Sequence, residues 1–237
     1  MKRSIKMNIL ILNGSPKEHS TTMRLTDAFI SGMNTSNAHC IDSVHVIQKT
    51  IKPCTGCFAC WQLQNGECIQ QDDQNELLKK MIASDIIIYS FPLYCYGMPS
   101  HLKAVVDRTI PLAKLTMKEK NGIVMHESLF DLSQKHYVVI SGCGFPDWQG
   151  NFDALKMQCS SFFGNNLTMI CVPEAPLLSQ PSADPLTMPL LEKFKQAGRE
   201  YLNHFSLSPD TVHSLETPML PNDIYIQIVN SYTAASL

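Results

Sequence analysis

Asn8-Ile-Leu-Ile-Leu-Asn13, running straight into Gly14-Ser-Pro-Lys17 and then Ser20-Thr-Thr22, is the stretch that decides the fold. Six mostly apolar residues ended by a glycine make a short strand. The three hydroxyl residues supply N-caps for an amphipathic helix reaching about residue 33. The unit is therefore strand, turn, helix. A helix N-terminus offers free N–H groups and a favourable dipole to an anion, and Ser15, Ser20, Thr21 and Thr22 would add hydroxyls around Gly14. The turn has neither the glycine spacing of a dinucleotide loop nor that of a Walker loop. A hydroxyl-lined turn with one lysine nearby, Lys17, suits a phosphate monoester better than a pyrophosphate. The plainer reading is that Ser20 to Thr22 only cap the helix.

The same alternation continues along the chain. Residues 43–47 read as a second strand, and Asp72-Asp73 as the cap of a helix reaching residue 83. Residues 85–91 (DIIIYSF) form the continuous apolar run of a parallel strand buried on both faces. A helix is expected over 99–108, a fourth strand over 136–141, a helix over 151–163 and a fifth strand over 167–172. Residues 112–134 show no clear period and read as a long excursion or lid. A proline- and serine-rich stretch, 173–189, ends the sheet, and a well-patterned helix covers 190–205. Five strands alternating with helices predict an α/β, three-layer sandwich around a parallel sheet of order 2-1-3-4-5. Ligands of such sheets bind beyond the carboxyl ends of the strands at the switch point. There the loops at Gly14, Pro92-Leu-Tyr94 and Gly142 fall.

The chain has 237 residues, 44% hydrophobic and 17% charged, with a net charge of −2. That balance argues against a nucleic-acid partner, which calls for a basic face. The apolar run after the basic N-terminus is too short for a signal-peptide core or a membrane span. The expectation is a cytoplasmic protein without a membrane partner, whose nine cysteines are thiols or ligands rather than disulfides.

Four of those cysteines crowd into one loop: Cys54, Cys57, Cys60 and Cys68, spaced C-x2-C-x2-C-x7-C. Structural zinc prefers two separated pairs, so consecutive x2 spacings suit a cubane iron–sulfur cluster better. Zinc, or thiols without metal that pack the loop or react, are the alternatives. Cys40, Cys159 and Cys171 read as small core residues. Cys95 and Cys143 lie in the switch-point loops. His126, in the 112–134 excursion, is a candidate lid residue.

Taken in order, Gly14-Ser-Pro-Lys17, Ser20-Thr-Thr22, Pro92-Leu-Tyr94, Gly97-Met-Pro-Ser100, Leu102-Lys103 and Asp107-Arg108 resemble the NADPH-dependent FMN reductases and iron–sulfur flavoproteins of the flavodoxin-like superfamily. The resemblance runs over about residues 7–172. It implies FMN, with the phosphate on Ser15, Lys17, Ser20, Thr21 and Thr22. Pro92, Leu93, Tyr94, Tyr96 and Gly97 would line one side of the ring, and Gly142, Gly144 and Phe145 the next loop. Tyr94 and Tyr96 offer flat faces, and Gly97 room for backbone N–H groups to approach. Phe145 or Trp148 would shield the ring or block the nicotinamide. It further implies NAD(P)H as reductant, a 4Fe–4S cluster on the cysteine loop, and a homodimer or higher homo-oligomer. On this reading residues 1–180 are the FMN-binding domain and 181–237 an extension packed on the domain or on a partner. The expected function is an FMN-dependent NAD(P)H oxidoreductase passing electrons to a quinone, flavin or other small acceptor, with no catalytic side chain required. An iron–sulfur electron carrier serving a redox protein, and a flavin-binding sensor without enzymatic activity, are the alternatives.

Overall fold

A computed structural model of the chain describes residues 6–35, 38–120 and 122–231. Its centre is a five-stranded parallel sheet in the order β2-β1-β3-β6-β7. The strands are β1 (Asn8–Asn13), β2 (Cys40–His45), β3 (Ile86–Pro92), β6 (His136–Gly142) and β7 (Leu167–Val172). Side chains alternate across a strand, so Leu10 and Leu12 face one layer while Ile9 and Ile11 face the other. Helices α3 (Gln74–Ala83), α4 (Ser100–Asp107) and α5 (Asp153–Phe163) cover the first face through Leu78, Leu102, Val105 and Leu155. Helices α1 (Thr21–Met33), α6 (Asp184–His204) and α7 (Pro209–Glu216) cover the second through Leu25, Phe29, Phe194, Tyr201 and Leu215. The flavodoxin-like order expected from the sequence is thus the order observed.

Helices α1 and α6 meet backbone to backbone. A Cβ on Gly32 would fall 1.9 Å from the Lys195 carbonyl oxygen, and one on Gly198 1.9 Å from that of Phe29. Two glycines therefore let the helices cross closely enough for Phe29 and Tyr201 to pack ring on ring at 5.5 Å. The segment after α6 returns to the same domain. Buried Glu174 accepts the Met219 and Leu220 N–H groups at 2.6 and 3.1 Å, and Glu216 accepts that of Cys171 at 2.8 Å.

Several local expectations need correction. The second strand lies at Cys40–His45 rather than 43–47, and a 3-10 turn at Val46–Gln48 follows it. It is an edge strand whose first four residues are exposed, so it lacks the apolar run that marks a buried strand. Cys40 is exposed there, not core. The proline-rich stretch after β7 already includes the first turns of α6; the 181–237 extension also contains a further helix, α8 (Asn222–Ser231). The 112–134 excursion is largely a β-hairpin of β4 (Ala113–Lys120) and β5 (Ile123–Ser128). Its signals were present: Ala113, Leu115 and Met117 alternate with polar residues, and Asn121-Gly122 is a favoured hairpin turn.

Candidate functional site

The three loops named from the sequence converge at the carboxyl end of the sheet. The Gly14 N–H donates to the Ser90 carbonyl at 2.8 Å, and Leu93 N–H to that of Gly142 at 2.8 Å. Gly14 packs so closely on Leu102 and Phe91 that a Cβ would lie 2.6 Å from Leu102 Cδ2. Gly142 is equally tight: a Cβ would lie 2.6 Å from that of Ala175 and 3.4 Å from the Thr22 methyl. These two glycines serve packing that draws the loops together. Gly97 and Gly144 differ, since an added Cβ would meet nothing closer than 4.0 and 3.7 Å.

In the first loop, Ser20 Oγ accepts the Met23 N–H at 3.2 Å and caps α1, as expected, and lies 3.0 Å from Thr22 Oγ1. Thr21 and Thr22 open the helix, where N–H groups have no partner within it. Ser15 Oγ accepts the Lys17 N–H at 3.1 Å, and Asn13 Oδ1 accepts that of Ser15 at 3.0 Å. Ser15, Ser20 and Thr22 are buried and Lys17 is exposed. Two histidines absent from the sequence reading hold this turn from either side. His45, at the end of β2, lies with Nε2 2.9 Å from the Ser15 carbonyl oxygen. His101, in the first turn of α4, lies with Nε2 2.9 Å from that of Gly14. Burial pushes the His101 imidazole below its ordinary range and outweighs the opposite pull of the Gly14 carbonyl, while the nearby His45 adds a smaller push in the same direction as burial. At neutral pH it is therefore an uncharged ring donating Nε2–H. No spacing rule links two histidines 56 positions apart, so the pair leaves no signal along the chain.

The second loop is a tight turn closed by a bridge. Tyr94 N–H donates to the Gly97 carbonyl at 3.1 Å and Gly97 N–H to that of Tyr94 at 3.0 Å. The left-handed residues inside it are Cys95 (φ 48°) and Tyr96 (φ 63°), not Gly97. Side chains resist that region, and the pattern of two consecutive left-handed residues normally calls for Asn-Gly. The turn thrusts its side chains outward: Tyr94 and Tyr96 are 49% and 53% exposed.

In the third loop Phe145 is 46% exposed. Its ring lies nearly parallel to that of Tyr96, with centroids 6.4 Å apart. Tyr96 and Phe145 thus present two nearly parallel, half-exposed faces beside the loops. Trp148 is turned elsewhere, packed against the core beneath the Lys156 ammonium at 4.1 Å. Tyr225 of α8, buried, donates its hydroxyl to the Gly144 carbonyl at 3.0 Å and fixes the loop from behind.

The cysteine loop has a different character. Cys54 and Cys57 are exposed, whereas Cys60, at the start of the short helix α2 (Cys60–Leu63), and Cys68 are buried. Among the described residues no three His, Cys, Asp or Glu side chains are gathered to hold a metal ion. Hydrogen bonds from the Ala59 backbone and the Thr55 hydroxyl hold the Cys57 thiol below its ordinary range, while burial and then the neighbouring Cys68 push Cys60 up. Behind the loop lies Arg108, 1% exposed, paired with Asp72 and donating Nη1 to the Lys52 carbonyl at 3.1 Å. Its Nε and Nη2 have no oxygen or nitrogen partner. Cys68 lies on that side, close enough for its sulfur to favour the guanidinium charge. Cys143 is buried and pushed up to about 11 by that burial, which makes it an inert thiol, and Cys95 is exposed at the turn tip. His126 is on the hairpin, its ring 5.0 Å from that of Trp61 in the cysteine loop.

A model of the flavodoxin-like fold matches residues 7–165, and the chain belongs to that family. An iron–sulfur flavoprotein of Archaeoglobus fulgidus is 34% identical over 110 residues, 46% of this chain and 49% of that protein. An FMN-dependent NADH:quinone oxidoreductase of Francisella philomiragia is 23% identical over 168 residues, 69% of this chain and 85% of that protein. Among solved structures, an NAD(P)H:quinone oxidoreductase from Methanothermobacter marburgensis superposes with a TM-score of 0.60 at 18% identity, covering 84% of this chain and 98% of the other. The chain spans about half the length of the first curated relatives it matches. Among the described residues no helix is long and apolar enough to cross a membrane.

Proposed function

We propose that the protein is an FMN-dependent NAD(P)H oxidoreductase that serves a small acceptor of the quinone or flavin class, works in the cytoplasm and acts as a homodimer. The observation that carries this is the convergence of a hydroxyl-lined helix N-terminus with three half-exposed aromatic rings. Large exposed aromatic faces are uncommon on a folded surface unless something covers them. The donor set fits FMN in both halves. Ser15, Ser20, Thr21, Thr22 and Lys17 would hold the phosphate. Pro92, Leu93, Tyr94, Tyr96 and Gly97 would line the ring with Gly142, Gly144 and Phe145, where Gly97 and Gly144 leave room for it. Bound FMN would supply two-electron redox chemistry. The chain's own part is to anchor the phosphate, to present backbone N–H groups to the ring and to keep one aromatic-walled face open to donor and acceptor in turn. No side chain is assigned as acid or base.

The second reading is an iron–sulfur electron carrier. Its support is the C-x2-C-x2-C-x7-C spacing and the name of the Archaeoglobus relative. Cys54, Cys57, Cys60 and Cys68 would have to close around a cluster, since the exposed pair and the buried pair do not converge as they stand. An absorption spectrum on protein purified without oxygen, with iron and acid-labile sulfide measured on the same sample, separates the readings. Flavin bands without iron support the oxidoreductase, iron and sulfide support the carrier, and failure to take up added FMN sinks both.

The histidine clasp gives a finer test. His101→Leu removes the donor to the Gly14 carbonyl and should weaken FMN binding about 10-fold, the worth of one hydrogen bond. Riboflavin, which lacks the phosphate, should bind as before. His101→Gln, which places an amide N–H near the position of Nε2, should stay close to wild type. Titration of apoprotein by flavin fluorescence quenching reads all three.

A further inference from the structure

A cavity separate from the three loops lies under the hairpin, on the flank of the sheet. It measures about 240 Å³ and is walled by the rings of Tyr89, Tyr137, Phe162 and Phe163, with His126 and Ser128 of β5 as its roof. Its inner end is set by Ile87 and Tyr137. These stand five residues before Pro92 and Gly142 on their strands. At ~3.3 Å per residue the cavity therefore reaches back about 16 Å from the switch-point loops. The hairpin is held over it through His126, whose ring rests on that of Trp61 at 5.0 Å. A wider hollow of about 460 Å³ adjoins it past Thr109 and Phe162, and Phe162, 48% exposed, stands at the join. That hollow is a way in.

Two deeply buried polar groups line the cavity with bonds to spare. Tyr89 is 1% exposed, packs its ring on Phe163 at 4.9 Å and has no hydrogen bond from its hydroxyl among the described residues. A buried tyrosine hydroxyl ordinarily finds an acceptor. Lys135 is 7% exposed. Its Nζ donates to the Ile82 carbonyl at 3.2 Å and to that of Ser84, which closes the end of α3 and leaves the third N–H over. Among the described residues it forms no ion pair, and burial pulls it below the ordinary lysine range against a smaller opposite pull from Asp85. A lysine so deep is rarely left without an anion.

We propose that this cavity binds a flat aromatic acid of one or two fused rings, its carboxylate accepting from Lys135 Nζ and the Tyr89 hydroxyl and its rings lying among Tyr137, Phe162 and Phe163. The size agrees. An apolar cavity of about 150 Å³ already takes benzene, so about 240 Å³ accommodates a two-ring skeleton. The polar groups decide the rest. Both have a proton to donate and one is a cation, so the group that completes them is an acceptor with negative charge. A plain hydrocarbon would leave the Tyr89 hydroxyl and the third Lys135 N–H unanswered, and a cation would meet Lys135 as a like charge. The site does not depend on FMN, since none of its lining residues belongs to the three loops.

Calorimetric titration of the full chain with 2-naphthoate, with and without excess FMN, tests this. Wild type should bind one equivalent under both conditions with a Kd of about 100 µM or tighter, an ordinary affinity for a ligand of that size. Lys135→Met keeps the apolar stem and removes the charge. It should weaken 2-naphthoate at least about 10-fold, while the neutral 2-naphthamide changes by less than about threefold. Tyr89→Phe deletes only the hydroxyl and should weaken 2-naphthoate about 10-fold. Circular dichroism checks the fold of each variant, and if Lys135→Met does not fold, Tyr89→Phe decides alone. No binding by wild type at about 1 mM, binding that FMN abolishes, or an unchanged affinity in either folded variant would each overturn the proposal. Failure to take up FMN would sink the oxidoreductase reading and leave the 2-naphthoate result standing by itself.

Discussion

Replacing Asp72 by alanine should cost the protein about 3–5 kcal/mol of stability, the usual penalty for stranding one member of a buried ion pair. Both side chains are almost wholly hidden, Arg108 at 0% and Asp72 at 2%. The aspartate also accepts the Lys52 N–H at 3.0 Å and the Gln74 N–H at 3.2 Å, so it ties the cysteine loop to the start of α3. Urea unfolding of the two proteins measures the difference. At 237 residues that loss corresponds to a fall in Tm of about 6–20 °C. A loss under about 1 kcal/mol would mean that removing Asp72 does not strand the buried Arg108 charge. The pH dependence has a definite sign. Burial alone would raise the Asp72 carboxyl, but the Arg108 guanidinium and the two backbone N–H groups outweigh it and hold the group below its ordinary value. A depressed carboxyl stabilises the fold above its unfolded pKa of about 3.9 and loses that contribution as pH falls through its folded value. Wild type should therefore show a steeper acid limb than Asp72→Ala, in which only the other depressed carboxyls, such as Glu200, remain to contribute.

What the sequence revealed and what it hid follow from the range of the interactions. Ile86 to Phe91 is legible because a central parallel strand needs apolar residues on both faces, and the chain there can be nothing else. Ser20 is legible because capping is local: hydroxyl and N–H are three residues apart. Asp73 shows the limit of that logic. It occupies a capping position by sequence, yet its carboxylate accepts the Thr50 N–H at 2.7 Å, 23 residues away. Asp72, its neighbour, is claimed by Arg108, which the sequence placed only as the end of a motif. The turn at Cys95 and Tyr96 was hidden for another reason: its left-handed residues are not glycines, and the adjacent Gly97 drew the inference to itself. Tyr225 could not be foreseen at all, because its hydrogen bond to Gly144 spans 81 residues.

The phosphate turn is where sequence, geometry and proposed chemistry meet most directly, and there the second large effect is expected. Ser20→Ala with Thr22→Val keeps shape and removes two hydroxyls that face each other at 3.0 Å. Hydrogen bonds to a charged group are each worth about 1.5–3 kcal/mol, so FMN affinity should fall at least about 100-fold. Riboflavin shares the ring and lacks the phosphate, and its affinity should hold within about twofold, the scatter of an uncoupled site. Loss of the Ser20 cap should also cost about 1 kcal/mol of stability, read separately by melting the apoprotein. The comparison of ligands is what makes the result specific. A turn that merely caps α1 would weaken both flavins alike through loosening of the helix, and equal losses would remove the phosphate from Ser20 and Thr22. A loss confined to FMN would fix the monoester at the start of α1, and with it the orientation that carries the ring toward Tyr96 and Phe145.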